Sequence, residues 1–296
     1  MDLTLEFHRD ICGILPADLR SAGYNVPAGL SPDELLIAYF NTALRRIQPR
    51  PRVVERASEL VCPPGFEQGL RVIQEKAERG EDLRPHQGKE IDDPFYRDGL
   101  LNDWGIHHLH LGTTIEADGF VTRTGPVLFA RVLLDQLFMI QIWTHGRGAG
   151  QVWSRQEMIE IIHQNWPDSI ARFRLNAVGL EQGHSDSELK QLRNAGIFTM
   201  IETKDHTVYM PPGGGIATDG TSIQVGLTCD RLKRHLRDLE TYFRENIDAI
   251  AAQAAKEGRT MTPPYSFQLQ LFGRSVFAVE TTAKVALFAL RLPELK

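Results

Sequence analysis

The sequence predicts an α+β fold: a helical N-terminal part, a central antiparallel β-meander, and a C-terminal α+β part containing a long helix. Three observations predict it. Apolar residues recur in steps of three and four through the first hundred positions and again over residues 230–256. Between Ile106 and Trp143 the pattern changes to short apolar, β-branched and aromatic runs, punctuated by Gly119, Gly125 and Asp135-Gln136. Helical and strand segments do not alternate as βαβ units, which argues against a parallel α/β sheet. The corresponding regions are residues 1–100, 101–175 and 176–296.

In chain order, Ser31-Pro32-Asp33-Glu34 is a capping box with proline at the first helical position. Leu35, Leu36, Tyr39, Phe40, Ala43, Leu44 and Ile47 follow at helical spacing. A second helix is predicted over residues 67–79, with Gly80 placed to end it. The polar stretch 80–94 links this part to three strands at residues 106–111, 127–133 and 137–143. Short connections between them favour antiparallel pairing. Ser154-Arg155-Gln156-Glu157 reads as a second capping box, opening a helix that runs to Trp166 before Pro167. A short helix at 188–195 ends at Gly196, and residues 197–202 and 207–210 read as a hairpin. The helix over 230–256 carries Leu232, Leu236, Leu239, Phe243, Ile247, Ile250 and Ala254 on one stripe. Residues 266–272 and 275–281 then form two strands around Gly273, and residues 285–290 a core strand or a helix end.

The chain has 296 residues, 42% apolar and 24% charged, with a net charge of -5. That composition is globular, and the negative balance argues against a dedicated basic nucleic-acid coat while allowing a local basic site. Cys12, Cys62 and Cys229 are far apart and include no Cys-x-x-Cys pair, so neither a disulfide framework nor a structural zinc site is supported. Met1-Asp2-Leu3-Thr4-Leu5-Glu6 lacks the features of a signal peptide, and no apolar run approaches membrane-spanning length. The expected compartment is a reducing cytoplasm.

The most informative segment is Trp104-Gly105-Ile106-His107-His108-Leu109-His110-Leu111, which holds three of the chain's ten histidines. A strand sends alternate side chains to opposite faces. His108 and His110 therefore share one face, and His107 shares the other with Leu109 and Leu111. Arg123 follows, then Arg131 within an apolar strand, then His145 just past the next strand. If these strands pair as neighbours, His108, His110, Arg131 and His145 converge on one face as candidate catalytic residues, with His110 partly exposed. His107, Arg123, Arg50 and Arg52 are candidate substrate-binding residues. Imidazole and guanidinium supply the base, acid and cations that phosphodiester cleavage needs near neutral pH without a cofactor. His-x-His is also a common metal-ligand pair. The alternative is a divalent metal held by His108, His110, His145 and Asp103 in a metal-dependent hydrolase.

Two further segments are unusual. Arg45, Arg46, Arg50, Arg52 and Arg56 crowd one stretch, either as a phosphate-tracking patch or as a solvated face with ion pairs. Pro211-Pro212-Gly213-Gly214-Gly215, continuing to Ser222, is not a P-loop. It reads as a hairpin tip, an anion nest of backbone amides, or a lid. Trp104, Trp143, Trp153 and Trp166 cluster near the histidines and read as core, with one able to stack on a base.

Over residues 101–165 the order of parts resembles the small RNA-cleaving toxins of the RelE and YafO kind. The likeness rests on His107-His108-Leu109-His110-Leu111, on the run from Arg123 to Arg131, and on the run from Phe138 to His145. It is a likeness of topology, covers a minority of the chain, and implies a bacterial metal-independent endoribonuclease. This chain is about three times the length of those toxins and is acidic. The expected partners are RNA and an inhibitory protein, with no membrane. A non-catalytic binding or sensor protein, with structural histidines, is the third reading.

Overall fold

The structure is a computed structural model that describes residues 3–146, 151–176, 179–180 and 183–295. The fold is α+β, and the chain divides into two compact units that do not follow its linear order. The first is Met1–Ala43, Asp93–Phe95 and Val225–Lys296; the second is Leu44–Asp92 and Tyr96–Gln224. The three consecutive regions read from the sequence are therefore not the compact units. Pairing between residues far apart in the chain joins its two ends, and local periodicity carries no trace of that.

The first unit contains β1 (Leu3–Leu5), α1 (Phe7–Ser21) and the greater part of α2 (Pro32–Arg45). It also holds most of α7 (Ile223–Lys256), with β9 (Tyr265–Phe272), β10 (Ser275–Glu280) and β11 (Ala286–Arg291). Its sheet has the order β1-β9-β10-β11, with β1 parallel to β9 and the rest antiparallel. Residues 285–290 thus resolve to a strand. The α2 capping box forms as the sequence predicts: the Glu34 amide donates to Ser31 Oγ at 3.3 Å, and the Ser31 amide to Glu34 Oε2 at 2.8 Å. The apolar face of α1, with Phe7, Ile11, Leu15 and Leu19 all 0% exposed, packs on β9. Phe7, Phe243 and Phe267 meet edge to face at 5.5 and 4.7 Å. Arg274 ties Asp18 at 2.8 Å and also reaches the Tyr39 hydroxyl and the Pro293 carbonyl.

The second unit is built on β2 (Val53–Arg56), β3 (Ile106–His110), β4 (Pro126–Val132) and β5 (Gln136–Thr144), in the order β2-β5-β4-β3. The predicted meander is present over β3, β4 and β5, and β2 adds to β5 in parallel. Both faces of this sheet are covered. Leu109, Leu128, Ala130, Leu137 and Met139 pack on Leu70, Ile73 and Ala77 of α3 (Glu67–Arg79). Ile106, Val127, Phe129 and Ile140 pack on Met158, Ile159 and Ile162 of α5 (Glu157–Asn165). The unit also contains α4 (Gly99–Trp104), β6 (Arg174–Leu175), α6 (Asp186–Asn194), β7 (Ile201–Glu202) and β8 (Val208–Tyr209). Strands β6, β8 and β7 form a small antiparallel sheet, so the expected hairpin is there, but short. Among the described residues no helix is long and apolar enough to cross a membrane.

Two local readings are corrected. Ser154 does not cap α5: the helix begins at Glu157 and Ser154 Oγ donates to the Gln151 carbonyl at 3.2 Å. The second helix with a capping box is α6, whose Ser185 and Glu188 bond reciprocally. The glycine-rich segment divides: residues 216–222 form a small hairpin turn closed by the Ile216–Ser222 bridge, whereas the glycines before it are buried and are not the tip. Pro211, Pro212, Gly213, Gly215 and Ile216 are buried. The Gly213, Gly214 and Gly215 amides donate to the carbonyls of Asp103, Pro211 and Asn102 at 2.8, 2.8 and 3.1 Å. The bonds to Asp103 and Asn102 satisfy carbonyls at the end of α4 that have no partner within the helix. A Cβ on Gly213 would stand 2.4 Å from the Leu101 carbonyl oxygen, so only glycine fits.

Beside this contact, Arg193 Nε donates to Asp103 Oδ2 at 2.7 Å with both side chains buried, and its guanidinium lies 4.4 Å from the Trp104 ring centre. Asp103→Ala leaves that guanidinium unpaired and is expected to cost about 3–5 kcal/mol. All four tryptophans lie in the second unit, so a fluorescence-monitored urea titration reads this loss directly.

Candidate functional site

Strand β3 pairs with β4 in the register Ile106↔Arg131, His108↔Phe129 and His110↔Val127. That register decides which predicted residues meet. His108 and His110 share a face, as the two-residue period requires, with ring centres 6.1 Å apart. A β-bulge between Phe129 and Ala130 leaves Gln141 opposite Phe129 and Trp143 opposite Val127, which brings the end of β5 to the same face. His145 follows, 5.3 Å from His110. Trp153 packs against His108 at 4.9 Å, His145 at 5.5 Å and Phe129 at 5.5 Å. Three of the four proposed catalytic residues therefore cluster, with His108 and His145 on the Trp153 indole and His110 against both imidazoles.

Arg131 does not join them. Its register partner is Ile106, and Phe129 lies between it and the histidines along the strand. Its Nη1 and Nη2 donate to the carbonyls of Trp104 and Ser169 at 3.4 and 3.2 Å. Nor do Arg50 and Arg52 reach the histidine cluster. Arg52 is buried and donates to the carbonyls of Leu133 and Arg50 at 3.0 and 3.2 Å, while Arg50 is exposed. Arg45, Arg46 and Arg52 of the arginine-rich stretch are buried and Arg46 pairs with Asp82 at 3.0 Å, so the stretch is not a continuous solvated face. Asp103 is taken by Arg193.

β3 is an edge strand, and the loop after α3 and the segment leading into α4 run along it. The His86 ring bonds the His110 carbonyl at 2.9 Å, satisfying an acceptor that the edge would otherwise leave open. Arg123 Nη1 donates to the Gln87 carbonyl at 3.0 Å. A narrow cleft of about 20 Å³ opens here, lined by Arg45, Gln87, Glu90, Tyr96, Asp98, His107 and His108 among others. Arg45 Nη1 donates to the Glu90 carbonyl at 2.8 Å and its guanidinium lies 5.5 Å from the Tyr96 ring centre. Asp98 Oδ1 caps α4 by accepting the Leu101 amide at 3.0 Å. Gly88 makes room for the two central groups. A Cβ there would stand 2.8 Å from Glu90 Oε2 and 3.3 Å from His108 Nε2. His107 and His108 thus open to the cleft, whereas His110 is 1% exposed, more enclosed than the sequence predicts. His86, Glu90 and Tyr96 carry no local motif, and Arg45 stands out in sequence only as one member of the arginine-rich stretch. They enter the site because distant loops fold over the β3 edge.

The imidazoles are held neutral. Burial pushes His107 and His86 down to about 4. Burial, with Arg123 adding, pushes His110 down to about 3. His108 is lowered by burial and opposed by Asp98, and His145 is lowered by burial and then by Arg123. Burial raises the Tyr96 phenol, so it remains an O–H donor at neutral pH.

The His110 tautomer bears on the metal alternative. The Thr124 amide donates to His110 Nδ1 at 3.2 Å, which places the ring proton of the neutral form on Nε2. Neither nitrogen then offers a lone pair to a cation. Among the described residues no three His, Cys, Asp or Glu side chains are arranged to hold a metal ion. Comparison of the chain with protein-family models, curated proteins and solved structures gives no match.

The buried imidazoles make acid stability a readout of the site. His86, His107 and His110 have folded values below the ordinary 6.5, so between the two values only the unfolded chain takes up protons. Stability is full above pH 6.5 and is lost as pH falls toward 4. Each such histidine contributes up to about 1.4 kcal/mol per pH unit in that window. Urea titrations at pH 7.5, 6 and 5, followed by tryptophan fluorescence, are expected to show the decline. His86→Gln is expected to flatten it.

Proposed function

We propose that the cleft along β3 is a metal-independent acid–base active site that cleaves the phosphodiester backbone of RNA. The observation that supports it most is His108, a neutral imidazole that opens to a cleft also lined by an arginine and a protonated phenol. A depressed imidazole is in the basic form throughout the neutral range, which suits a general base. In the proposed reaction His108 takes the proton of a ribose 2′-hydroxyl. The 2′-oxygen bonds to phosphorus, and the bond from phosphorus to the 5′-oxygen breaks. Tyr96 gives its proton to that leaving oxygen. Arg45, with Arg123 behind Gln87, counters the charge that builds on the phosphorane. Glu90, crowded beside His108 over Gly88, orients the ring. His110 and His145 position Trp153 and His108 and do not touch substrate. RNA as substrate class follows from this chemistry and from the resemblance of residues 101–165 to RNA-cleaving toxins.

Incubation of the purified protein with a single-stranded RNA oligonucleotide in excess EDTA is the test. Products ending in 2′,3′-cyclic phosphate are expected, with the matching DNA uncut. His108→Ala is expected to lower the rate about 100-fold or more, and Tyr96→Phe to do likewise. The acid limb of the rate profile is expected below pH 6.5, the ordinary imidazole value, because burial lowers His108. No cleavage by the parent, or activity that EDTA removes and one divalent ion restores, overturns the proposal.

A further inference from the structure

A second cavity, of about 490 Å³, lies at the other end of the β4–β5 pair and shares no lining residue with the histidine cleft. Arg131 lines it from β4, Phe138 from β5, and Trp166, Ser169 and Arg172 from the turns after α5. Arg131 is 3% exposed. A buried guanidinium without an anion is costly, and proteins ordinarily supply a carboxylate. The same unit does so for Arg193, which is paired with Asp103. Arg131 has only the two carbonyls of Trp104 and Ser169, at 3.4 and 3.2 Å, and its Nε has no partner.

The neighbouring groups increase the cost. The Ser169 hydroxyl is also buried without a partner. Arg172 brings a second guanidinium to the same cavity; burial first, and then this charge, pushes Arg131 down to about 10. Two carboxylates line the wall, and neither forms an ion pair with these arginines. Glu55 accepts from Trp166 Nε1 at 3.0 Å, and Asp168 is exposed. Phe138 and Trp166 stack with ring centres 4.7 Å apart and give the cavity an apolar side.

We infer that this cavity binds the phosphate group of a small organic phosphate monoester between Arg131, Arg172 and the Ser169 hydroxyl. A phosphate monoester carries close to two negative charges near neutral pH and three acceptor oxygens, which match two guanidiniums and one hydroxyl. A carboxylate would offset only one of the two cations. The cavity is larger than a phosphate group needs, and the Phe138–Trp166 side would take the organic part of the ligand.

Binding of inorganic phosphate, AMP, acetate and chloride at matched ionic strength tests this, read by tryptophan fluorescence and by the shift in the unfolding midpoint. Saturable responses to phosphate and AMP are expected, AMP binding more tightly, with none to acetate or chloride. Arg172→Ala, an exposed position that does not threaten folding, is expected to weaken AMP binding at least ten-fold without lowering the ligand-free midpoint. Arg131→Met is expected to abolish the response and to leave the ligand-free protein at least as stable. His108→Ala is expected to bind AMP as the parent does, which separates this site from the cleft. An acetate or chloride response equal to that of phosphate, or unchanged binding by Arg172→Ala, overturns the inference.

Discussion

The register of β3 on β4 is the constraint on which the second unit depends. With Ile106 opposite Arg131 and His110 opposite Val127, every side chain of the strand is assigned to a face and a depth. A shift of one residue would send His108 and His110 to the face now filled by Leu109, Leu128 and Ala130, and would bring His107 to the other side. The register is over-determined. Leu109 is 0% exposed on one face, Ile106 is 0% exposed on the other, and the His86 ring bonds the edge carbonyl of His110. The bulge in β5 completes the arrangement by turning Gln141 and Trp143 toward the histidine face.

Burial then sets the chemistry. Removing imidazoles from water favours their neutral forms, and the Thr124 amide fixes which nitrogen of His110 carries the proton. His108 differs from its neighbour in opening to the cleft, where Glu90, Asp98, Arg45 and Tyr96 meet it. The strand thus carries an enclosed histidine and an accessible one, two residues apart. The enclosed one packs with His145 near Trp153, which is held in turn by a bond from Arg193 to its carbonyl. Arg193 also pairs with Asp103 beneath the glycine-rich segment, so that ion pair links α4, α6 and the tryptophan beside the histidines.

What the sequence made legible was periodic and local. The meander, the shared face of His108 and His110, the α2 capping box and the helix over Glu67–Arg79 all follow from spacing over a few residues. Strands β1 and β2, three and four residues long, are too short to show a period. In α1, Gly13 and Pro16 interrupt the helical pattern, although Phe7, Ile11, Leu15 and Leu19 lie at four-residue steps. Arg131 has the parity of the histidine face, but parity does not report distance along a strand. Its guanidinium is used at the opposite end, on the carbonyls of Trp104 and Ser169. The glycines of 213–215 look like a loop tip in sequence because their partners, the carbonyls of Asn102 and Asp103, lie more than a hundred positions away.

Direct observation of the histidine rings tests the central claim, that a fixed strand register holds a set of buried, neutral imidazoles with one open to the cleft. Long-range nitrogen–proton correlation spectra of the ¹⁵N-labelled protein report tautomer and protonation for each ring. Recorded from pH 8 to pH 5, they are expected to show His110 as the Nε2–H tautomer, neutral throughout, with His86 and His107 also neutral. His108 is expected to titrate below 6.5. An Nδ1–H tautomer for His110, or ordinary titration near 6.5 by His107 and His110 together, would contradict the account.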